Sequence, residues 1–199
     1  GCALCTRHLV HNSVYDKFVA RVKQLSWAFS CGDPQLGATL LGPLISDAQR
    51  QRVESFVDRG LEDGGQLLCG GGRPNYRRRG YYYEPTMFTG LDKTSRVARE
   101  EILGPVGIVI GFDTEDEAVA LANDSDYGLS GNVFSKDTGR AYQLARHMRT
   151  GSVFINGGGG TATAKQPFGG IKRSGFGREN GIDGLMEYTY KKTITFRAG

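Results

Sequence analysis

Four helix starts, each led by a residue able to cap it and each separated from the next by short apolar runs, constrain this 199-residue chain more than any other feature. Ser13 with Asp16 opens a stretch in which Tyr15, Phe18, Val19, Val22 and Leu25 recur at helical spacing, and Cys31-Gly32-Asp33-Pro34 stops it. Ser46 and Gln49 form a capping box for a second helix carrying Val53, Phe56, Val57 and Leu61, which ends at Gly64-Gly65. Thr114 with Glu117 caps a third, through Ala118, Leu121 and Ala122, and Asp137 caps a fourth with Ala141, Leu144, Ala145 and Met148. Strand-like runs occupy 8–10, 66–68, 85–88, 106–112, 132–134 and 152–155. Such alternation predicts an α/β fold, an open, mostly parallel sheet with covering helices, because parallel strands need crossovers and the crossovers bury the sheet faces.

With 39% hydrophobic and 23% charged residues, the chain can bury the core of one large domain, or of one domain with a small appendage. The net charge of +4 is too small, and too dispersed outside Arg77-Arg78-Arg79, for a nucleic-acid binder. Those arginines sit among Tyr76, Tyr81, Tyr82 and Tyr83 and could stack on bases, but a short hairpin with a basic turn is commonplace. No apolar run approaches the ~18 residues of a membrane span, so no membrane partner is expected. The chain starts with Gly rather than Met and has no secretory signal, which predicts a segment of a longer polypeptide. Cysteines at 2, 5, 31 and 69 do not resemble a disulfide scaffold, and free thiols suit a cytoplasmic location.

The opening GCALCTRHLVH sets Cys2, Cys5, His8 and His11 at even three-residue steps. A zinc site usually takes two ligand pairs from separated elements, and here there is a single pair. In a strand, positions 8 and 11 point to opposite faces, so no metal site is expected. A thioredoxin-type pair opens a helix, whereas here a strand follows. Two readings stay open: small buried thiols without chemistry, or a nucleophile. At the other end, YTYKKTITFR (188–197) reads as a strand with no helix to cover its edge. It would either return to this chain's own sheet or add to a partner subunit.

Several motifs fall in one order along the chain: Gly1-Cys2 with Thr6-Arg7, Gly32-Asp33-Pro34, Gly42-Pro43, Glu84-Pro85-Thr86, Glu100-Glu101-Ile102-Leu103-Gly104-Pro105, Tyr127-Gly128-Leu129, Gly151-Ser152 to Asn156, and Pro167-Phe168 through Ser174-Gly175 to Gly177-Arg178-Glu179. In this the chain resembles the aldehyde dehydrogenase superfamily, from its nucleophilic cysteine onward.

The resemblance implies NAD(P)-dependent oxidation of an aldehyde to a carboxylic acid. Cys2 matches the nucleophile that forms a thiohemiacetal, which passes a hydride to NAD or NADP; the thioester left behind is hydrolysed. Cys5 would pack. Glu101 matches the carboxylate on the nicotinamide ribose, and Leu103 stands where an aromatic residue often packs against the cofactor. Glu179 matches a carboxylate that relays a proton near the hydrolytic water, although Arg178-Glu179 also reads as an ordinary surface pair. Asn156 and Phe168 match the substrate funnel, with the small-residue loop 157–164 at its mouth; that loop lacks the spacing of a phosphate cradle. Residues 1–173 would be a catalytic domain whose dinucleotide-binding domain lies upstream, and 174–199 a C-terminal segment ending in an oligomerisation strand of a homodimer or homotetramer. By itself such a segment would be inactive, lacking the general base and an oxyanion donor. A relative that hands the thioester to coenzyme A or phosphate, and a non-catalytic protein keeping the fold, are the alternatives.

Overall fold

The computed structural model describes residues 2–29, 31–76, 79–157 and 164–199. The chain forms two compact units, 1–124 and 125–199.

In the first unit, β1 (Arg7–His11), β2 (Gln66–Cys69), β3 (Thr86–Thr89) and β4 (Val106–Phe112) make one sheet in the order β1-β4-β3-β2. The pairs β1–β4 and β3–β4 are parallel, and β2 closes the edge antiparallel with a register shift between Leu67 and Cys69. β4 lies inside the sheet, and its continuous apolar sequence VGIVIGF is what a strand covered on both faces requires. The helices are α1 (Asn12–Leu25), α2 (Asp47–Glu62), the single turn α3 (Arg96–Arg99) and α4 (Glu115–Asn123). Along α2, Val53, Phe56, Val57 and Gly60 are buried at i, i+3, i+4 and i+7. Val53, Phe56 and Val57, with Phe88 and Ile108, are the largest fully buried side chains of the core. Gly60 is required there, since a β-carbon would sit 2.9 Å from Phe88 Cζ.

The capping expected at Ser46 and Thr114 is present: their hydroxyls accept from Gln49 N and Glu117 N, each at 3.2 Å. At α1 the cap is instead His11, whose Nδ1 accepts from Ser13 N at 3.1 Å. His11 also stands edge-on to Phe112, 5.4 Å between centroids. His11 therefore serves a helix start and an edge contact. No group of three or more His, Cys, Asp or Glu side chains among the described residues is placed to hold a metal ion. Arg7 ties β1 to the end of α4, its Nη2 donating to Leu121 O at 2.7 Å.

In the second unit, β5 (Tyr127–Gly128) pairs antiparallel with β8 (Ile171–Lys172), and β6 (Ser130–Val133) pairs parallel with β7 (Ser152–Ile155). Helix α5 (Thr138–His147) supplies the β6–β7 crossover, capped by Asp137 as expected, and α6 (Gly181–Met186) follows β8. Short elements such as β5, β8 and α6 carry too little periodicity to be read from sequence.

Residues 190–199 form no strand with the rest of the chain, and Tyr190, Ile194 and Phe196 are 86%, 76% and 89% exposed. No helix among the described residues is long and apolar enough to cross a membrane.

Candidate functional site

Parallel pairing of β1 with β4 decides where three of the candidate residues lie. Arg7 is in register with Ile108, and Ile108 N donates to Thr6 O at 2.8 Å. The segments leading into the two strands, 2–6 and 101–105, therefore leave the same end of the sheet. Cys2 lies on the first, Glu101 and Leu103 on the second.

Cys2 occupies an exposed turn, and its thiol has no hydrogen-bond partner among the described residues. Cys5 is exposed as well, which corrects the expectation that it packs: the chain enters β1 only at Arg7, beyond the core. The reading of both thiols as buried and inert fails on the same observation. Of the other two, Cys31 fits it, and Cys69 is half-buried. Cys31 is buried, its Sγ donating to Tyr83 O at 3.2 Å, and burial pushes its thiol pKa up; burial also raises that of Cys69. None of the four forms a disulfide.

Glu101 is exposed, and its carboxylate takes no hydrogen bond or ion pair among the described residues. Both oxygens are thus available to accept from a vicinal diol, as a ribose would require. Its backbone is held firmly. Arg52 Nη2 donates to Glu101 O at 2.8 Å, and Gln49 Nε2 donates to Ile102 O and Leu103 O at 2.9 and 3.0 Å. Leu103 has φ 57° and is 56% exposed. A leucine in the left-handed region costs on the order of 1–3 kcal/mol and persists only where the surroundings fix it. Gly104 follows because a β-carbon there would run into Val53 Cγ2.

In the second unit Asn156 ends β7 with φ 52°, and its side chain latches onto one residue: Oδ1 accepts from Ser135 N and Nδ2 donates to Ser135 O, both at 2.9 Å. Phe168 and Glu179 meet in an antiparallel bridge, each N–H donating to the other's carbonyl at 2.7 Å. Residues directly opposite in such a bridge put their side chains on one face, so a half-buried aromatic ring and an exposed carboxylate stand side by side. Arg178 Nη1 donates to Gly170 O and Gly177 O at 2.9 and 2.7 Å. Its guanidinium thus braces the bridge from behind, a role the adjacent Glu179 disguised in the sequence. A cavity of about 570 Å³ adjoins this brace, lined by Gly177, Arg178, Asp183, Met186 and Glu187. The cavity of about 290 Å³ in the first unit, beside Lys93, Glu117 and Leu121, touches none of the candidates. Residues 158–163 of the small-residue loop, Gly1, and Arg77-Arg78 of the basic hairpin lie outside the described residues.

Reading by sequence missed Gln49, Arg52 and Arg178 as supports. Gln49 and Arg52 are polar residues in the first turns of α2, and nothing in their types distinguishes them from solvated ones.

The sequence model of the aldehyde dehydrogenase family matches residues 1–194. The betaine aldehyde dehydrogenase of Rhizobium johnstonii is 42% identical over 194 residues, 97% of this chain and 40% of that protein. Among solved structures, a Mycobacterium tuberculosis aldehyde dehydrogenase complexed with NAD+ superposes with a TM-score of 0.93 at 42% identity, covering 100% of this chain and 41% of that one. A Pseudomonas syringae aldehyde dehydrogenase C variant, complexed with NAD+ and octanal, gives 0.89 at 42% identity over 94% of this chain and 38% of its own. The chain thus spans about two-fifths of the length of these relatives.

Proposed function

Because this chain belongs to the aldehyde dehydrogenase family, we propose that it carries the nucleophile and part of the cofactor grip of an enzyme that oxidises an aldehyde to a carboxylic acid. The observation that carries the reading is the pairing at one sheet end of an exposed, unpartnered Cys2 thiol with the free carboxylate of Glu101. A thiol with a pKa of about 8.5 is a few per cent thiolate at pH 7, and sulfur is nucleophilic enough to attack an aldehyde carbonyl. The attack forms a C–S bond and a thiohemiacetal on Cys2; loss of hydride from that carbon, with the hydroxyl proton going to water, leaves a thioester, which water cleaves to the acid and the free thiol. A nicotinamide dinucleotide, NAD or NADP, supplies the hydride acceptor when bound. Glu101 would hold its ribose hydroxyls, and Leu103 would lie against it with a smaller contact than an aromatic ring would give. Glu179 accepts and releases the proton of the hydrolytic water, while Phe168 and Asn156 line the path of the aldehyde's tail.

The exposed residues 188–197 add as a strand to another copy of the chain, giving a homo-oligomer. Four cysteines without a disulfide fit the reducing cytoplasm. The proposal is for the whole protein; the 199 residues by themselves are expected to give no aldehyde-dependent NADH.

Its test is aldehyde-dependent NADH formation by the whole protein with water as the sole acyl acceptor. Cys2→Ala should abolish turnover and Cys5→Ala should leave it, and a limiting thiol-directed probe should label Cys2 before Cys31 or Cys69. Turnover that survives Cys2→Ala refutes the assignment. Turnover that requires coenzyme A or phosphate instead assigns the thioester to another acceptor.

A further inference from the structure

We propose that Cys5 is a resolving thiol for Cys2: hydrogen peroxide closes a Cys2–Cys5 disulfide that switches the nucleophile off reversibly. The proposal rests on the reading of Cys2 given above.

The two thiols share the short segment that precedes β1. Every residue from 2 to 6 is exposed, Leu4 to 71%, which leaves the segment room to rearrange. The parallel ladder with β4 begins only at Arg7, and Thr6 O is the first group tied to that strand, accepting from Ile108 N at 2.8 Å. A bridge between 2 and 5 therefore closes without breaking a ladder bond. The local course of the backbone favours it. On a straight run, α-carbons three residues apart are about 10 Å from each other, beyond the roughly 4.4–6.8 Å that a disulfide spans. Here Cys2 and Ala3 lie in a turn and the chain bends at Leu4, which shortens that separation. The remaining thiols lack this setting. Cys31 is buried with its Sγ donating to Tyr83 O, Cys69 is half-buried in β2, and burial raises the pKa of each. Oxidation needs an accessible thiolate, so peroxide meets the exposed pair first.

The Cys2 thiolate attacks one peroxide oxygen. An S–O bond forms, the O–O bond breaks, and the departing hydroxide takes up the Cys2 proton and leaves as water. The Cys5 thiolate then attacks the Cys2 sulfur. The S–S bond forms, the S–O bond breaks, and the hydroxide released leaves as a second water with the Cys5 proton. In sum, two thiols give up two electrons and one peroxide accepts them. While the bridge stands, Cys2 has no thiolate to offer an aldehyde, and a dithiol reductant restores it by exchange. Without Cys5, the sulfenic acid on Cys2 stays open to a second peroxide and to irreversible sulfinic acid.

The experiment treats the whole protein, natural and as Cys5→Ala or Cys5→Ser, with excess hydrogen peroxide. No lysine or arginine separates the two cysteines, so trypsin leaves both on one peptide ending at Arg7. In the natural protein, NADH formation should fall at least about 10-fold and dithiothreitol should return it to within about 2-fold, as an exchangeable disulfide requires. The peptide should be lighter by about 2 Da before reduction. Both variants should turn over normally before treatment; afterwards their loss should persist in dithiothreitol, with about 32 Da added to the peptide. Equal recovery in the variants, sulfinic acid on Cys2 of the natural protein, or a bridge from Cys2 to Cys31 or Cys69 overturns the switch. The underlying reading fails separately. A Cys2–Cys5 bridge that leaves turnover intact removes Cys2 from catalysis, whereas a missing bridge in a protein whose turnover needs Cys2 removes the switch alone.

Discussion

Replacing Gly151 with Ala tests how closely two backbone segments must approach to build the Phe168–Glu179 bridge. Gly151 does not have a positive φ, so alanine suits its backbone and only space is at issue. A β-carbon there would overlap the carbonyl oxygen of Gly169 and lie 2.9 Å from its carbonyl carbon and 3.2 Å from Leu129 O. Neither side can retreat freely. Gly151 N and Ser152 N donate to Gly128 O and Leu129 O at 3.0 and 3.1 Å, and Gly169 is fixed between the Phe168–Glu179 bridge and the carbonyls gripped by Arg178. Overpacking costs about 1–3 kcal/mol and each strained hydrogen bond about 1 more, so a total of roughly 3–5 kcal/mol is expected. For a folding unit of this size each kcal/mol lowers Tm by about 4–8 °C, which predicts a loss of roughly 12–40 °C. Thermal melts followed by circular dichroism read it, with Gly139→Ala as control. There a β-carbon meets Asp137 Oδ1 at an ordinary 3.4 Å inside α5, and the change should be neutral or stabilise by up to about 1 kcal/mol. A Gly151→Ala protein melting within about 3 °C of the natural one would refute the argument from backbone approach.

Burial, reinforced by Glu54, Asp58 and Glu84, pushes the pKa of the Tyr83 phenol up to about 12. The unfolded chain loses this proton first, so stability is full below about pH 10 and is lost as pH rises toward 12. Urea melts of the natural protein and Tyr83→Phe should diverge only in that window, by roughly 3 kcal/mol at its upper end. Burial likewise holds the His8 imidazole below 6.5. Its contribution is present above that pH and lost on acidification through the lowered value, and His8→Gln should flatten the slope between pH 7 and 5 in denaturant titrations. His11→Ala removes the acceptor for Ser13 N and should cost about 1 kcal/mol by urea denaturation, a loss that an Asn at the same position restores. Deleting residues 189–199 from the whole protein should lower its mass in light scattering; an unchanged mass removes the tail from the interface.

Helices α2, α4 and α5 were legible with their caps because a capping box is a local bond between residues three apart. Strands β4 and β7 were legible to the residue because uninterrupted apolar runs ending in turn formers leave little choice of boundary. Ser13 with Asp16 reads as the start of α1, and His11 takes the cap because a ring nitrogen can accept the same bond, an option outside the usual capping residues. Cys5 was expected to pack; the three-dimensional entry of the chain into β1 decided otherwise.

For the site, sequence order carried family membership, and the family model matches residues 1–194 of this chain. It also singled out Cys2 and Glu101 as residue types able to attack a carbonyl and to accept from a diol. That these two stand at one end of a sheet follows from the parallel β1–β4 register, a pairing between segments about a hundred positions apart. The supports at Gln49, Arg52 and Arg178 were decided by tertiary structure alone. Each donates to backbone carbonyls, and a carbonyl has the same chemistry at every position, so no side-chain pattern in the sequence can say which one a donor will reach.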